Sequence, residues 1–253
     1  MTLIVTTSWD DGHISDMQLA DLLDAYSIRG TFYVAPKSIE IDRASRLTNK
    51  QLRELAGRFE IGGHTLTHRR LPKLPIHAAE DEIRSGKLYL EDVIERQLYS
   101  FCYPRGEYGS EHVGLVRDAG FVTARTVRRW ECQRAVDLLQ MGTTVHAYRH
   151  YTDVGRIGKG CLSGPAGAAK KFWNWDDLAI DLFDRVAMTG GIFHLWGHSW
   201  EVESNNDWHR LERVLDHIAL RDRALYATNG ELAHCATESQ RKEKNEIASR
   251  EQS

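Results

Sequence analysis

Residues 3–13 read LIVTTSWDDGH: an apolar start, a polar middle, then two adjacent aspartates and a glycine. Leu3-Ile4-Val5 is patterned as a buried strand, expected over Leu3–Thr7, which leaves Asp10 and Asp11 where that strand gives way to a loop. Carboxylates placed there require a chemical reason. The rest of the chain repeats the same unit. A helix is expected near Ser15–Tyr26, with apolar Met17, Leu19, Leu22 and Leu23, and GTFYVA (30–35) reads as a second strand. In LTNKQLRELAG (47–57), Thr48 and Gln51 fit a capping box and Gly57 a helix end. FEIGGH (59–64) is a third strand, Ile76–Arg96 a long charged amphipathic helix, SFCY (100–103) a fourth strand, Val113–Ala119 a helix and FVTA (121–124) a fifth strand. Later come a helix over Asp176–Met188, a strand GGIFHLW (190–196), a helix Trp208–Leu220, a strand ALYAT (224–228) and a short helix from Gly230. That order predicts an α/β fold, a mostly parallel sheet or barrel with outer helices, and functional residues at the carboxyl ends of the strands.

Composition narrows the function. The chain has 253 residues, 42% hydrophobic and 27% charged, which suits one large domain, expected over 1–237. Its 33 basic and 36 acidic residues give a net charge of −3, so neither a nucleic-acid footprint nor a polybasic membrane patch is present. The four cysteines are widely spaced without a C-x-x-C pair, which suits free thiols in a reducing compartment. With no leader-like N-terminus and no run near the ~20 apolar residues of a membrane span, a cytoplasmic location is expected. Oligomeric state is not legible.

Two segments break the alternation. Residues 149–175 carry five glycines and, besides Arg149, four Lys or Arg; they read as an insertion loop, either a lid or a mobile surface excursion. Residues 238–253 are almost free of apolar side chains and read as a solvated, disordered tail.

The second chemical stretch is GGHTLTH (62–68), with His64 and His68 four apart after the third strand. Such spacing puts two imidazoles on one face of a helical turn, and zinc commonly takes two histidines and one carboxylate with a position left open. Asp11 can be that carboxylate. An H-x-x-x-H pair or a DDG alone is common on surfaces and in turns, but both lie at strand ends on one side of a parallel architecture, each beside a glycine.

With SWDDG, HTLTH, FCYPRG and FHLWGH in this order and rough spacing, the chain resembles the polysaccharide deacetylase family, the NodB-homology carbohydrate esterases, over roughly residues 3–236. The resemblance implies a distorted (β/α) barrel of the NodB-homology type and metal-dependent hydrolytic removal of N- or O-acetyl groups from sugars. It makes Asp11, His64 and His68 the metal ligands, Asp10 the base acting on metal-bound water, and His198 the acid. The backbone N–H of Arg105 is then the oxyanion donor, with Tyr103, Pro104 and Trp200 lining the substrate. One divalent metal is implied, zinc first, with Co2+, Ni2+ or Fe2+ also compatible with nitrogen and oxygen donors.

The chain departs from the family pattern in three places. Cys102 stands where the family's third motif often has the arginine that orients the base. FVTARTVRRW (121–130) supplies Arg125, Arg128, Arg129 and Trp130 but no acid where the fourth motif usually has an aspartate. Arg125, at a strand end, is the expected replacement beside Asp10. In the last motif two residues separate Leu195 from His198 where one is common, which makes His194 a competing acid. The expected substrate is an acetylated sugar or glycan precursor, with its phosphates, where it is nucleotide- or lipid-linked, received by the basic 149–175 segment and Arg125–Arg129. A cyclic ureide or other amide as substrate, and a sugar-binding protein with impaired catalysis, are the alternatives.

Overall fold

The computed structural model describes residues 2–160 and 164–233. Eight strands, β1 (Leu3–Asp11), β2 (Gly30–Val34), β3 (Glu60–Gly63), β4 (Ser100–Cys102), β5 (Thr123–Arg125), β6 (Val145–His146), β7 (Gly191–Gly197) and β8 (Ala224–Tyr226), form one parallel sheet in the order β5-β4-β3-β2-β1-β7-β6. β8 shares an edge of β1 with β2: it registers against Leu3–Val5, and β2 against Thr7–Asp11. Met141, just before β6, bridges Arg125, its N–H donating to the Ala124 carbonyl at 2.8 Å. The sheet therefore curls towards closure, giving the distorted (β/α) barrel expected from the sequence. Helices α1 (Asp16–Ala25), α2 (Asn49–Ala56), α3 (Ile76–Ile94), α4 (Ser110–Asp118), α5 (Val154–Gly160), α6 (Gly164–Trp173), α7 (Trp175–Thr189), α8 (Ser199–Ser204) and α9 (Trp208–Ile218) surround it.

β1 is the axis. All nine of its residues are buried, and it continues to Asp11 instead of stopping at Thr7. Its polar middle does not end the strand because each hydroxyl is satisfied inside. Thr6 donates to Asn229 Oδ1 (2.9 Å), Thr7 to the Arg29 carbonyl (3.1 Å), and Ser8 meets His194 Nε2 at 2.8 Å. Asp10 and Asp11 are thus the last residues of a rigid central strand, not loop residues.

Other boundaries moved for local reasons. The Thr48–Gln51 capping box is present. The long helix α3 stops at Ile94 because Glu95 takes a left-handed conformation (φ 55°). The 149–175 segment is largely helical, as α5 and α6, where a loop was expected, and its aromatic close, Phe172 and Trp173, packs near Arg149. The expected tail, 238–253, lies outside the described residues, and the short helix from Gly230 lies mostly so.

α3 sets the position of the second motif. Gly86 lies so close to the turn after β3 that a Cβ there would stand 2.6 Å from the Thr65 carbonyl carbon and 2.8 Å from the Leu66 nitrogen. Alanine would gain about 1 kcal/mol of helix propensity, but overlap with backbone costs about 1–3 kcal/mol. Gly86→Val, which adds a branched chain, should lower unfolding stability in urea by ~2 kcal/mol or more and weaken metal uptake by displacing His64 and His68; unchanged stability and metal content would show that the turn can yield.

Candidate metal centre

Asp11 ends β1, and His64 and His68 follow β3 two strands away. Three non-glycine residues here have positive φ: Asp11 (85°), Thr65 (63°) and His68 (63°). Such conformations cost about 1–3 kcal/mol each and gather at functional sites. They turn the three side chains onto one point. His64 Nε2 lies 3.6 Å and His68 Nε2 3.3 Å from Asp11 Oδ1. A tetrahedral ion with bonds of ~2.0–2.1 Å has ligand-to-ligand edges of about 3.3–3.4 Å, so the set fits such an ion closely. The rings are oriented from behind as metal ligands commonly are: His64 Nδ1 is 2.7 Å from the Cys102 carbonyl, and His68 Nδ1 is 3.1 Å from Glu40 Oε2, though off the hydrogen-bonding line. Asp11 Oδ1 is buried without any hydrogen-bond donor. An orphaned anionic oxygen facing two imidazole nitrogens is a cation site by its chemistry. Trp200 Nε1 donates to the other oxygen, Asp11 Oδ2, at 2.8 Å.

Asp10 points elsewhere. Its carboxylate is gripped by the Arg125 guanidinium, the arginine fully buried. Cys102 pairs with Arg125 in the β4–β5 register, and its thiol is 3.7 Å from Asp10 Oδ2. The guanidinium missing from the third motif therefore arrives from the next strand over, at the same level of the barrel. Burial pushes the Asp10 carboxyl up, but the charges of Arg125, His64 and His198 outweigh it and hold it below the usual range. Burial likewise opposes ionisation of Asp11, and the nearby imidazoles of His64, His198 and His68 drive it well below.

His198 follows β7 and caps α8. Its Nε2 lies 4.0 Å from Asp10 Oδ2 and 3.9 Å from Asp11 Oδ2, and its Nδ1 is 2.5 Å from Glu201 Oε2. Burial lowers its pKa, but Glu201, Asp11 and Asp10 together raise it above the ordinary histidine value. Glu201, three residues on in α8, is thus the carboxylate that backs His198; its own carboxyl is held down at about 2, against burial, by His146 and His198. His194, the competing acid, instead faces Ser8 inside the sheet, and burial first, then the Arg125 charge, lowers it to about 3.

Two of the expected substrate contacts do not reach the cleft. Tyr103 is fully buried, its hydroxyl donating to the Leu139 carbonyl at 3.0 Å and its ring stacked on Tyr108; alternation along the chain after β4 turns it into the core. Pro104 is buried beside it. Arg105 has φ 56°, and its side chain binds Glu40 at 2.9 Å, the same Glu40 that backs His68. Arg128 and Arg129 are engaged by Glu131 and Asp153, both at 2.8 Å. Sequence reading missed His146, Glu201 and Glu40. A signal existed for the first, since His146 and His150 repeat the H-x-x-x-H spacing of His64 and His68.

Residues 3–124 match the polysaccharide deacetylase family model. No curated protein sequence matches the chain. Among solved structures, a Mycobacterium smegmatis protein whose polysaccharide deacetylase role is inferred has a TM-score of 0.68 at 17% identity, over 94% of this chain and 91% of its own. A family 4 carbohydrate esterase from Streptomyces lividans, in complex with acetate, gives 0.55 at 14%, over 85% and 87%. The Streptococcus pyogenes deacetylase PplD, also with acetate, gives 0.51 at 22%, over 54% of this chain and 62% of its own, less than two thirds of its length. The family match covers just under half of the chain, and the structural likenesses give it the fold of these deacetylases.

Two outcomes test the electrostatics. Arg125→Met, which leaves the Asp10 charge buried and alone, should cost about 3–5 kcal/mol of unfolding free energy, and Asp10→Asn in the same chain should restore much of it; an Arg125→Met protein of wild-type stability would mean that the pair is not buried. His194 has a folded pKa far below its unfolded value of ~6.5, so the unfolded chain binds the extra proton and stability falls as pH drops from about 6.5 towards 3. His194→Gln should flatten the stability–pH slope there by roughly 1.4 kcal/mol per pH unit, read from urea unfolding at stepped pH.

Proposed function

We propose that this protein is a metal-dependent hydrolase that removes an N- or O-linked acetyl group from a sugar of a glycan or glycan precursor. The observation that carries this reading is that a carboxylate, Asp10, and an imidazole, His198, both adjoin the Asp11, His64, His68 set, with His198 Nε2 at 4.0 and 3.9 Å from Asp10 Oδ2 and Asp11 Oδ2. A divalent metal held by Asp11, His64 and His68 supplies Lewis acidity to an acetyl carbonyl and acidity to water. Asp10, kept anionic and fixed in direction by Arg125, accepts a proton from the attacking water. His198 Nε2 returns a proton to the departing amine or alkoxide, releasing acetate, while Glu201 holds Nδ1–H and stabilises the imidazolium before transfer. The Arg105 main-chain N–H is assigned to the oxyanion, since its side chain is occupied by Glu40. Trp200, 36% exposed and tied to Asp11, offers an aromatic edge to the sugar ring. Arg128 and Arg129 are already paired with Glu131 and Asp153, so the substrate is the acetylated sugar itself and needs no phosphate handle.

Acetate release from acetylated amino sugars and glycan oligomers should depend on added divalent metal, stop on chelation, and fall about 10²-fold or more in Asp10→Asn. That variant should still take up metal, whereas His64→Ala/His68→Ala should not. Turnover of cyclic ureides but of no acetylated sugar would move the same centre to a different C–N bond. Glycan binding with no turnover of either kind would make the chain a sugar-binding protein.

A further inference from the structure

On the side of His198 away from Asp10 and Asp11 there is a second donor set of the same chemical make-up. Glu201 Oε2, 2.5 Å from His198 Nδ1, also lies 3.1 Å from His146 Nε2, and the three ligand atoms fall within 4.8 Å of one another. His146 is built in as firmly as His64. Its ring is 4% exposed and lies flat on Trp196, centroids 3.8 Å apart and planes 8° apart. Its Nδ1 is 2.7 Å from His150 Nε2, so its Nε2 is directed at Glu201, where it has no aligned hydrogen-bond partner. A buried nitrogen oriented from behind by a second group, facing a carboxylate and another imidazole, has the makings of a metal ligand.

We infer that His146, His198 and Glu201 form a second divalent-metal site, of lower affinity than the first, whose occupation by zinc switches hydrolysis off. Affinity is lower because the metal must displace the proton shared by His198 Nδ1 and Glu201 and widen their 2.5 Å separation towards the ~3.3 Å edge of a tetrahedral set. Inhibition follows from the chemistry of imidazole. With a metal on Nδ1, Nε2 can release its proton only by becoming imidazolate, a far weaker acid than imidazolium, and Glu201 is no longer free to stabilise the charge. The inhibition rests on His198 being the acid proposed above; the binding does not.

The test is equilibrium dialysis of the metal-stripped full chain against a zinc series, with metal per chain read by elemental analysis, beside acetate release at the same zinc levels. Wild type should take a tight equivalent and then a weaker one, with acetate release rising over the first and falling over the second. His146→Gln and, as a check against misfolding of that variant, Glu201→Gln should lose only the weaker equivalent, whereas His64→Ala/His68→Ala should lose only the tight one. In His146→Gln the zinc needed for half-inhibition should rise roughly tenfold or more. A single equivalent in wild type, or a second one that survives both His146→Gln and Glu201→Gln, overturns the site. Two equivalents with the expected losses but no acetate release from any sugar would keep the site and overturn the deacetylase reading instead.

Discussion

Everything at the carboxyl end of this barrel is arranged around the buried ion pair between Asp10 and Arg125. The guanidinium is fully buried, reaches across the barrel mouth from β5 to β1, and lies over the faces of Trp196 (4.5 Å) and Tyr33 (5.5 Å). Removing two such groups from water costs several kcal/mol per ion, so the pair persists only where the carboxylate and the ring faces offset that cost. Once in place it does three things. It keeps Asp10 anionic in a site whose burial opposes this, it draws the far strand of the sheet to the central one, and its guanidinium adds to the burial that keeps His194 neutral. Cys102, with its thiol 3.7 Å from Asp10 Oδ2, needs no charge of its own, because the guanidinium arrives from the neighbouring strand.

The metal-binding half of this centre was legible in the sequence, while the protonic half was legible only in part. Asp10, Asp11, His64 and His68 are contiguous or spaced within one turn after strand-like runs, so local pattern places them together. Arg125 was recognisable from its position at a strand end, because register between parallel neighbours carries residues at equivalent ends to the same level. His146 and Glu201 were not seen. β6 is two residues long and has no hydrophobic run to announce it, and α8 is six residues long, too short to show a period. Tyr103 failed for the opposite reason: its place in a motif suggested exposure, but side chains alternate along an extended chain, and its turn falls inward.

His198 joins the two halves. Its Nε2 faces the aspartates and its Nδ1 faces Glu201, so one ring reads both the anionic centre and the histidine cluster behind it. A carboxylate only three residues further on suffices for this because His198 is the residue from which α8 starts at Ser199, and an i, i+3 spacing brings the two side chains together. Ser199 adds a tether on the other side, its hydroxyl donating to Asp16 Oδ1 at 2.6 Å and so tying α8 to α1. Burial, followed by the nearby charges of Asp11 and Asp10, raises Asp16 well above the usual carboxylate range despite that hydrogen bond. The Ser199 hydrogen bond therefore anchors the turn on a carboxyl whose ionisation burial and the two neighbouring aspartates oppose.

Adjacent aspartates pose a geometric problem that the backbone resolves. Neighbours on a strand point to opposite faces, yet Asp10 and Asp11 must both address one cavity. Asp10 keeps strand geometry and points inward to Arg125. Asp11 leaves it, at φ 85°, followed by Gly12 at φ 74°, and this rotation swings its carboxylate round to His64 and His68. The strain, about 1–3 kcal/mol for a non-glycine residue, is held by the pairing of Asp11 with Val34 in β2 and by Gly12, where a Cβ would stand 2.6 Å from Val34 Cγ1. Glycine is required at 12 both for its conformation and for lack of space, so the glycine of the DDG stretch is as much a part of the centre as the two carboxylates before it.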